Sequence, residues 1–471
     1  MSDFSKIIIF ASENQCIKMA YLRRLIDGYL SEWKNSSDHK PLLLRGARQV
    51  GKSSAVKHLG KAFKYYAEVN FEKQKSISSF FQGDIDVRLI CSKISAVLQV
   101  PIIPGETLLF LDEIQECKEA IMALRFFRED YPELHVISAG SLLEFALEEI
   151  PTFGVGRIHS LFMYPLTFDE FLWATSNDGL MTLRDIADCD IPLDIALHDK
   201  LCDLLRIYMI VGGMPEAVVK WVETSDFSKC AAVHNDILLA YEDDFNKYNK
   251  RISPELLRST MRSVCHQIGE KFSYSAVSRE IRSYQIQESL DLLTLAGLVT
   301  PVVCSAANAL PLDAESNNKY HKYLFIDTGL LLSLLQLENE QGKELIELIL
   351  SGSPQDVSNK GQITEMLVGL EFIRYKNPIQ RYKLYYWQKN GTSIAEVDYV
   401  IAKNAKIIPV EVKSGTRGGM KSLWMFMREK SISEAYRISL ENFGKLVYTD
   451  VSANGEERLL KIVPLYAVSK I

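Results

Sequence analysis

The chain has 471 residues, 47% hydrophobic and 24% charged, an ordinary globular composition with length for about three domains. Its net charge of −6 argues against wholesale coating of nucleic acid, and no apolar stretch approaches the ~20 residues of a membrane span. The eight cysteines are scattered, with no CxxC pair and no metal-like spacing to histidine, as expected of free thiols in a reducing cytoplasm.

Taken in order, residues 1–38 hold a short apolar run, Ile7 to Ala11, with no basic segment before it, and then an amphipathic helix predicted over 17–34. Residues 39–175 alternate short apolar runs (Leu42–Leu44, Tyr65–Phe71, Thr107–Leu111, His135–Ala139) with helical patterns starting at Lys52 and running through Phe127. Strand and helix in alternation predict a parallel sheet covered by helices. Residues 176–250 are helical in pattern, broken at Gly212-Gly213-Met214-Pro215. In 251–335, three short helices precede a strand at Leu298–Val303. Residues 336–356 are polar, contain Gly352-Ser353-Pro354 and predict a linker; 357–471 open with a helix and continue β-rich. From Gly361 onward there are 17 Lys+Arg against 11 Asp+Glu, which leaves 37 against 49 before it. A basic tail on an acidic body points either to a polyanionic partner or to a surface held against the protein's own acids.

Gly46-Ala47-Arg48-Gln49-Val50-Gly51-Lys52-Ser53 fits GxxxxGK[ST] at every fixed position, after an apolar strand and ahead of a helix. Backbone N–H groups of such a loop, with Ser54 in the next turn, curl round phosphate oxygens at a helix N-terminus. Lys52 reaches the β/γ-phosphates of ATP and the Ser53 hydroxyl ligates Mg²⁺. Thr107–Leu111 is an apolar strand ending in Asp112-Glu113: Asp112 to hold the Mg²⁺, Glu113 to orient and deprotonate the attacking water. Ser141, at the tip of the next strand, either meets the γ-phosphate or caps the helix Leu142–Leu147. Arg157, in Gly154-Val155-Gly156-Arg157, is the first candidate for a charge-stabilising arginine; Arg125 and Arg128 are the others.

The phrases LLLRGARQVGKSS, LLFLDEIQE, HVISAGSLLEFAL, VGRIHSLFMYPLTFDEFL and YMIVGGMPEAV resemble the prokaryotic AAA-family ATPases with a C-terminal restriction-endonuclease-like domain of unknown function. The resemblance runs from residue 17 over nearly the whole chain. It implies an α/β AAA-type ATPase domain with a helical lid (176–250), related to signal-transduction and defence ATPases, and a winged-helix domain at 251–335. It also makes Arg157 a nucleotide-sensing residue, in cis or, in a homo-oligomer, in trans. Residues 254–300 carry five basic and five acidic side chains, so a winged helix there has no basic excess for reading DNA.

The tail holds a second constellation. Glu365 lies on the helix near Gly361; strands Leu384–Gln388 and Glu396–Ala402 flank Lys389-Asn390-Gly391, a hairpin signal; Ile407–Lys413 puts Glu411 and Lys413 on one face. This is the order of elements in PD-(D/E)xK nucleases: Asp398, Glu411 and Glu365 would hold Mg²⁺ or Mn²⁺, and Lys413 would position or activate water. The sequence thus predicts a cytoplasmic, non-membrane, Mg²⁺-dependent ATPase whose nucleotide state gates a nuclease-like domain acting on DNA. The alternative is a STAND-like switch whose tail is catalytically inactive and binds protein or nucleic acid.

Overall fold

The computed structural model describes residues 21–471 except 142, 149, 151–155, 249–251, 339–345, 348, 351–357, 390–394, 417 and 451–454. The start of the 17–34 helix, Cys16, Leu142, Gly154-Val155, Asn390-Gly391 and most of the 336–356 linker lie outside the described residues. The first helix, α1 (Ile26–Asn35), begins later than predicted. Ahead of it the Asp27 carboxylate accepts the Arg24 N–H (2.8 Å) and Glu170 accepts the Leu25 N–H (2.6 Å), so side chains take the donors that another helical turn would use.

Five strands follow the predicted alternation: β1 (Leu42–Arg45), β2 (Tyr65–Asn70), β3 (Thr107–Asp112), β4 (His135–Ala139) and β5 (His159–Phe162). All pair in parallel, in the order β2-β3-β4-β1-β5. Period-2 alternation sends Leu42, Leu44, Leu108 and Phe110 into the core on one face and Leu43, Leu109 and Leu111 into that on the other. Both faces are therefore apolar, as a parallel sheet under two helical layers requires. The helices inserted along this sheet are α2 (Lys52–Gly60), α3 (Val87–Leu98), α4 (Lys118–Asp130) and α5 (Leu143–Glu148). Because β1 lies between β4 and β5, the loop leaving β1 opens beside the tips of β4 and, one strand further, β3.

Five helices come next: α6 (Phe168–Ala174), α7 (Asp178–Ile186), α8 (Ile195–Val211), α9 (Pro215–Thr224) and α10 (Phe227–Asp244). The predicted break separates α8 from α9. A Cβ at Gly213 would run into the Leu166 carbonyl, so this crossing tolerates no side chain. Then come α11 (Pro254–His266), α12 (Tyr274–Val277) and α13 (Ser283–Leu295), a hairpin of β6 (Val299–Ser305) and β7 (Ser316–Phe325), and helices α14 (Thr328–Glu338) and α15 (Ser358–Arg374). The tail adds β8 (Leu384–Lys389), β9 (Ala395–Lys403), β10 (Lys406–Val412), α16 (Lys421–Glu429), β11 (Glu434–Ser439), β12 (Gly444–Asp450) and β13 (Glu456–Pro464).

The division at 336–356 does not separate two sheets. Strand β6 pairs in parallel with β8, so one eight-stranded sheet, β12-β13-β11-β10-β9-β8-β6-β7, spans 299–464. The basic tail is also largely matched internally: Arg381 pairs with Glu144 (3.2 Å), Lys383 with Asp313 (2.8 Å) and Lys445 with Asp190, all acids from before residue 361. This favours the self-neutralising alternative for the charge asymmetry.

Helix α15 is fastened to the rest by a buried polar cluster. The Arg374 guanidinium donates to the carbonyls of Leu166 (3.0 Å) and Ile326 (2.8 Å) and to the Tyr208 hydroxyl (2.7 Å), and lies 3.5 Å from both Asp327 and Glu371. Glu371 accepts from the Phe168 N–H (3.1 Å) and the Tyr208 hydroxyl (3.0 Å); Asp327 accepts from the Gly213 N–H (2.7 Å). Burial lifts the Glu371 carboxyl to about 7 against the opposing pull of Arg374. Replacing Arg374 leaves two buried acids without their cation. Arg374→Ala should therefore lower the unfolding free energy by about 3–5 kcal/mol. Urea titration checks this; a loss below about 1 kcal/mol would mean that the cluster does not hold α15 in place.

Candidate nucleotide-binding site

The loop after β1 takes backbone conformations that its glycines permit: φ is +141° at Gly46 and +98° at Gly51, while Gln49 is a non-glycine exception at +65°. A Cβ at Gly46 would collide with the Met163 carbonyl, so glycine there is a packing requirement. The buried Lys52 ammonium donates to the carbonyls of Gly46 (2.8 Å) and Ala47 (2.7 Å), filling the loop it would share with phosphate. Burial pulls its pKa down to about 8, against the opposing charges of Glu113 and Asp112.

Strand β3 brings the acids to the loop. The Ser53 hydroxyl donates to Asp112 (3.1 Å), and Asn70 at the tip of β2 donates to the other Asp112 oxygen (3.1 Å). Burial, then the neighbouring Glu113, push the Asp112 carboxyl above its ordinary pKa, a situation that a divalent cation relieves. Ser53 and Asp112 are thus the pair that could hold Mg²⁺. Glu113 sits in the left-handed region (φ 49°), and its carboxylate accepts from Gln115 Nε2 (2.7 Å) and the Ser141 hydroxyl (3.1 Å). Ser141 therefore touches Glu113 rather than serving only as a helix cap. The surrounding cavity is about 660 Å³, the size of a small-molecule site, and is lined by Arg48, Gln49, Gly51, Lys52, Ser53, Ser54, Asp112, Glu113 and Ser141, with Pro215 and Glu216 from α9.

Several contacts here were invisible in the sequence. Arg24 joins Glu170 (3.0 Å) to the P-loop carbonyl of Val50 (2.9 Å) and to the Tyr164 carbonyl (2.7 Å). Glu170 also closes a capping box with Thr167 on α6, and that T-x-x-E spacing was the one available signal. Tyr21 stacks on His58 at the cavity wall (3.9 Å between ring centres). Asp244, at the end of α10, accepts from Arg48 (2.8 Å).

Arg157 does not reach this nucleotide site within the chain. His159 is level with Leu42 and Phe162 with Arg45, so Arg157 lies at the opposite end of the strands from the P-loop, roughly 20 Å away along the strand direction. Its side chain is exposed and pairs with Glu129. A cis sensing role is corrected on this ground. Arg128 is likewise engaged elsewhere, by the His39 carbonyl (3.1 Å) and Asp38.

The structure brings the predicted tail residues near one another: burial first, then the charge of Asp398 and more weakly that of Glu365, lift the Glu411 carboxyl to about 8. Among the described residues no group of three or more His, Cys, Asp or Glu side chains is placed to hold a metal ion. Glu365 is taken by the buried ammonium of Lys322 on β7 (2.9 Å), which also pairs with Glu396. Burial works against the charge on Lys322, but Glu365 and Glu396 outweigh it and hold its pKa above the ordinary value. Asp398 accepts the Val412 N–H (2.7 Å), and Lys413 pairs with Glu411 (2.6 Å). Lysines thus lie against Glu365 and Glu411, while among the described residues the buried Glu411 Oε2 has no hydrogen-bond partner.

Comparison with known proteins agrees with the loop geometry. Residues 38–172 match the AAA domain. Residues 202–341 and 360–465 match two domains of unknown function, DUF8612 and DUF4143. Among solved structures the chain is similar to a Walker-type ATPase of Pyrococcus abyssi (14% identity, 67% of this chain and 96% of that one, TM-score 0.42). It is also similar to the ORC1 protein of Aeropyrum pernix in complex with DNA (13% identity, 71% and 94%, TM-score 0.30). No curated protein sequence matches. Among the described residues no helix is long and apolar enough to cross a membrane.

Read as an ATP site, the loop assigns Lys52 and Glu113 separable roles. Lys52→Ala should weaken ATP binding roughly 10- to 100-fold, the worth of a hydrogen bond to a charged group. Glu113→Gln should keep ATP affinity within about threefold and lose roughly 100-fold or more of turnover. Calorimetry and phosphate release measure both; wild-type behaviour in both variants would contradict the assignment.

Proposed function

We propose that the chain is a Mg²⁺-dependent ATP hydrolase acting as a nucleotide-driven switch, with a C-terminal domain that binds a partner rather than cutting nucleic acid. The ATPase half is supported above all by one arrangement: Lys52, the Ser53–Asp112 pair and Glu113 converge on a single cavity. Lys52 would draw the β/γ-phosphates of ATP into the loop. Ser53 and Asp112 would hold a Mg²⁺ ion, whose charge would help neutralise the triphosphate. Glu113 would accept the proton of the attacking water on Oε1, while Ser141 and Gln115 hold the carboxylate through Oε2.

The switch half is supported by the route from that cavity to α15. Pro215 and Glu216 line the cavity; two residues earlier, Gly213 donates to Asp327, beside Arg374. The Lys322 ion pairs in the C-terminal cluster favour the inactive-tail alternative over the nuclease. Homo-oligomer formation, with Arg157 meeting a neighbour's nucleotide, is compatible with that residue's exposed position.

The test is metal binding and cleavage in one experiment. Nucleotide-free chain should give the same Mn²⁺ isotherm with and without Glu365→Gln, and labelled DNA should stay intact in Mg²⁺ or Mn²⁺ with ATP or ADP. Cleavage that Lys413→Ala abolishes would restore the nuclease and remove the binding-only tail.

A further inference from the structure

We propose that Arg48 is the arginine that contacts the γ-phosphate, in the same chain that binds the nucleotide, and that Asp244 of α10 holds it back until ATP arrives. This deepens the ATPase reading and rests on it. Transfer of a phosphoryl group spreads negative charge over its equatorial oxygens, and a second cation beside the P-loop lysine is worth a large part of the rate. The candidates can be sorted by what they touch. Arg157 lies at the far end of the strands. Arg24 spends its nitrogens on Glu170, Val50 and Tyr164. Lys57 pairs with Glu68 (3.1 Å) and Lys220 with Glu223 (2.9 Å).

Arg48 differs. It is the third residue of the phosphate loop, its side chain lines the same cavity as Glu113 and Ser141, and it is 40% exposed. Among the described contacts only Nη1 is engaged, by the two Asp244 oxygens at 2.8 and 2.9 Å. The remaining guanidinium donors can meet a phosphate without the loop being rebuilt. Glu113 lies near enough for its charge to act on Arg48.

The holding residue is built to let go. Asp244 is buried, yet Lys247 also reaches it (3.1 Å), so it keeps a cation when Arg48 leaves. It sits at the C-terminal end of an 18-residue helix, where the helix dipole disfavours an acid and makes the cation useful. One turn earlier the Tyr241 hydroxyl donates to the Arg48 carbonyl (2.9 Å), so α10 keeps hold of the loop backbone while the side chain swings. The arginine end of this pair is open to solvent, which weakens its hold against a triphosphate. Movement of Arg48 from Asp244 to the γ-phosphate would make the contact between α10 and the loop depend on whether ATP or ADP is bound.

Two readouts test this on the full chain: kcat, and the ratio of affinities for a non-hydrolysable ATP analogue and ADP. Arg48→Ala should lower kcat at least ~100-fold and reduce analogue affinity while ADP affinity changes by less than about threefold. Asp244→Asn, which removes the ion pair and keeps Arg48, should leave kcat at or above wild type and raise the preference for the analogue. If Arg48→Ala keeps wild-type kcat, or weakens ADP as much as the analogue, the proposal is overturned. If Asp244→Asn shares the defect of Arg48→Ala, the residue acts by bracing the loop and the proposal is again overturned. A wild type that binds both nucleotides and hydrolyses neither defeats the ATPase reading, while the affinity ratio still decides whether Arg48 senses the γ-phosphate.

Discussion

A guanidinium buried as deeply as that of Arg374 persists only where acceptors surround it, and those acceptors come from four separate stretches of chain. Leu166 belongs to the end of the AAA domain, Tyr208 to α8, Ile326 and Asp327 to the link between β7 and α14, and Glu371 to α15 itself. Each gives up a favourable partner if the others move away. The C-terminal sheet, the helical layer and the nucleotide domain are thus joined through polar contacts with defined directions, where an apolar seam would allow sliding. A hydrogen-bonded cluster of this kind has few alternative arrangements, which is what a two-state coupling element requires.

Two paths lead from that cluster to the phosphate loop. One runs through Asp327 to Gly213, after which α9 places Pro215 and Glu216 at the cavity. The other runs through Phe168 to the capping box of Thr167 and Glu170, then through Arg24 to the Val50 carbonyl. The Arg48–Asp244 pair adds a third contact, between the loop and α10. These connections are the routes open to the proposed coupling between the nucleotide loop and α15.

What the sequence disclosed follows the range of the interactions. The phosphate loop, the Asp112-Glu113 strand end and Ser141 were legible because a glycine pattern, an apolar strand and its terminal acids are local. The parallel sheet was legible from alternating periodicities. The choice between a cis and a trans role for Arg157 stayed open because a Gly-rich turn before a strand does not say at which end of the strands it lies. What the spacing of Glu365, Asp398, Glu411 and Lys413 did not disclose is Lys322, which arrives from β7, 43 residues before Glu365. No spacing rule links them, and the β6–β8 pairing that brings β7 into the same sheet is itself nonlocal. Arg24, Asn70 and Asp244 stayed hidden for the same reason: nothing marks an isolated arginine, asparagine or aspartate until its partner is in place.

The central claim, that the nucleotide state of the loop reaches α15, is tested most directly by amide hydrogen exchange on Glu113→Gln with ATP, with ADP and without nucleotide. The account predicts that exchange in α15 (Ser358–Arg374) and at Gly212–Gly213 differs between the ATP and ADP states, and that Arg374→Ala removes the α15 difference while leaving the one in the loop. ATP-dependent changes confined to the phosphate loop, α9 and α10, with α15 alike in all three states, would contradict it.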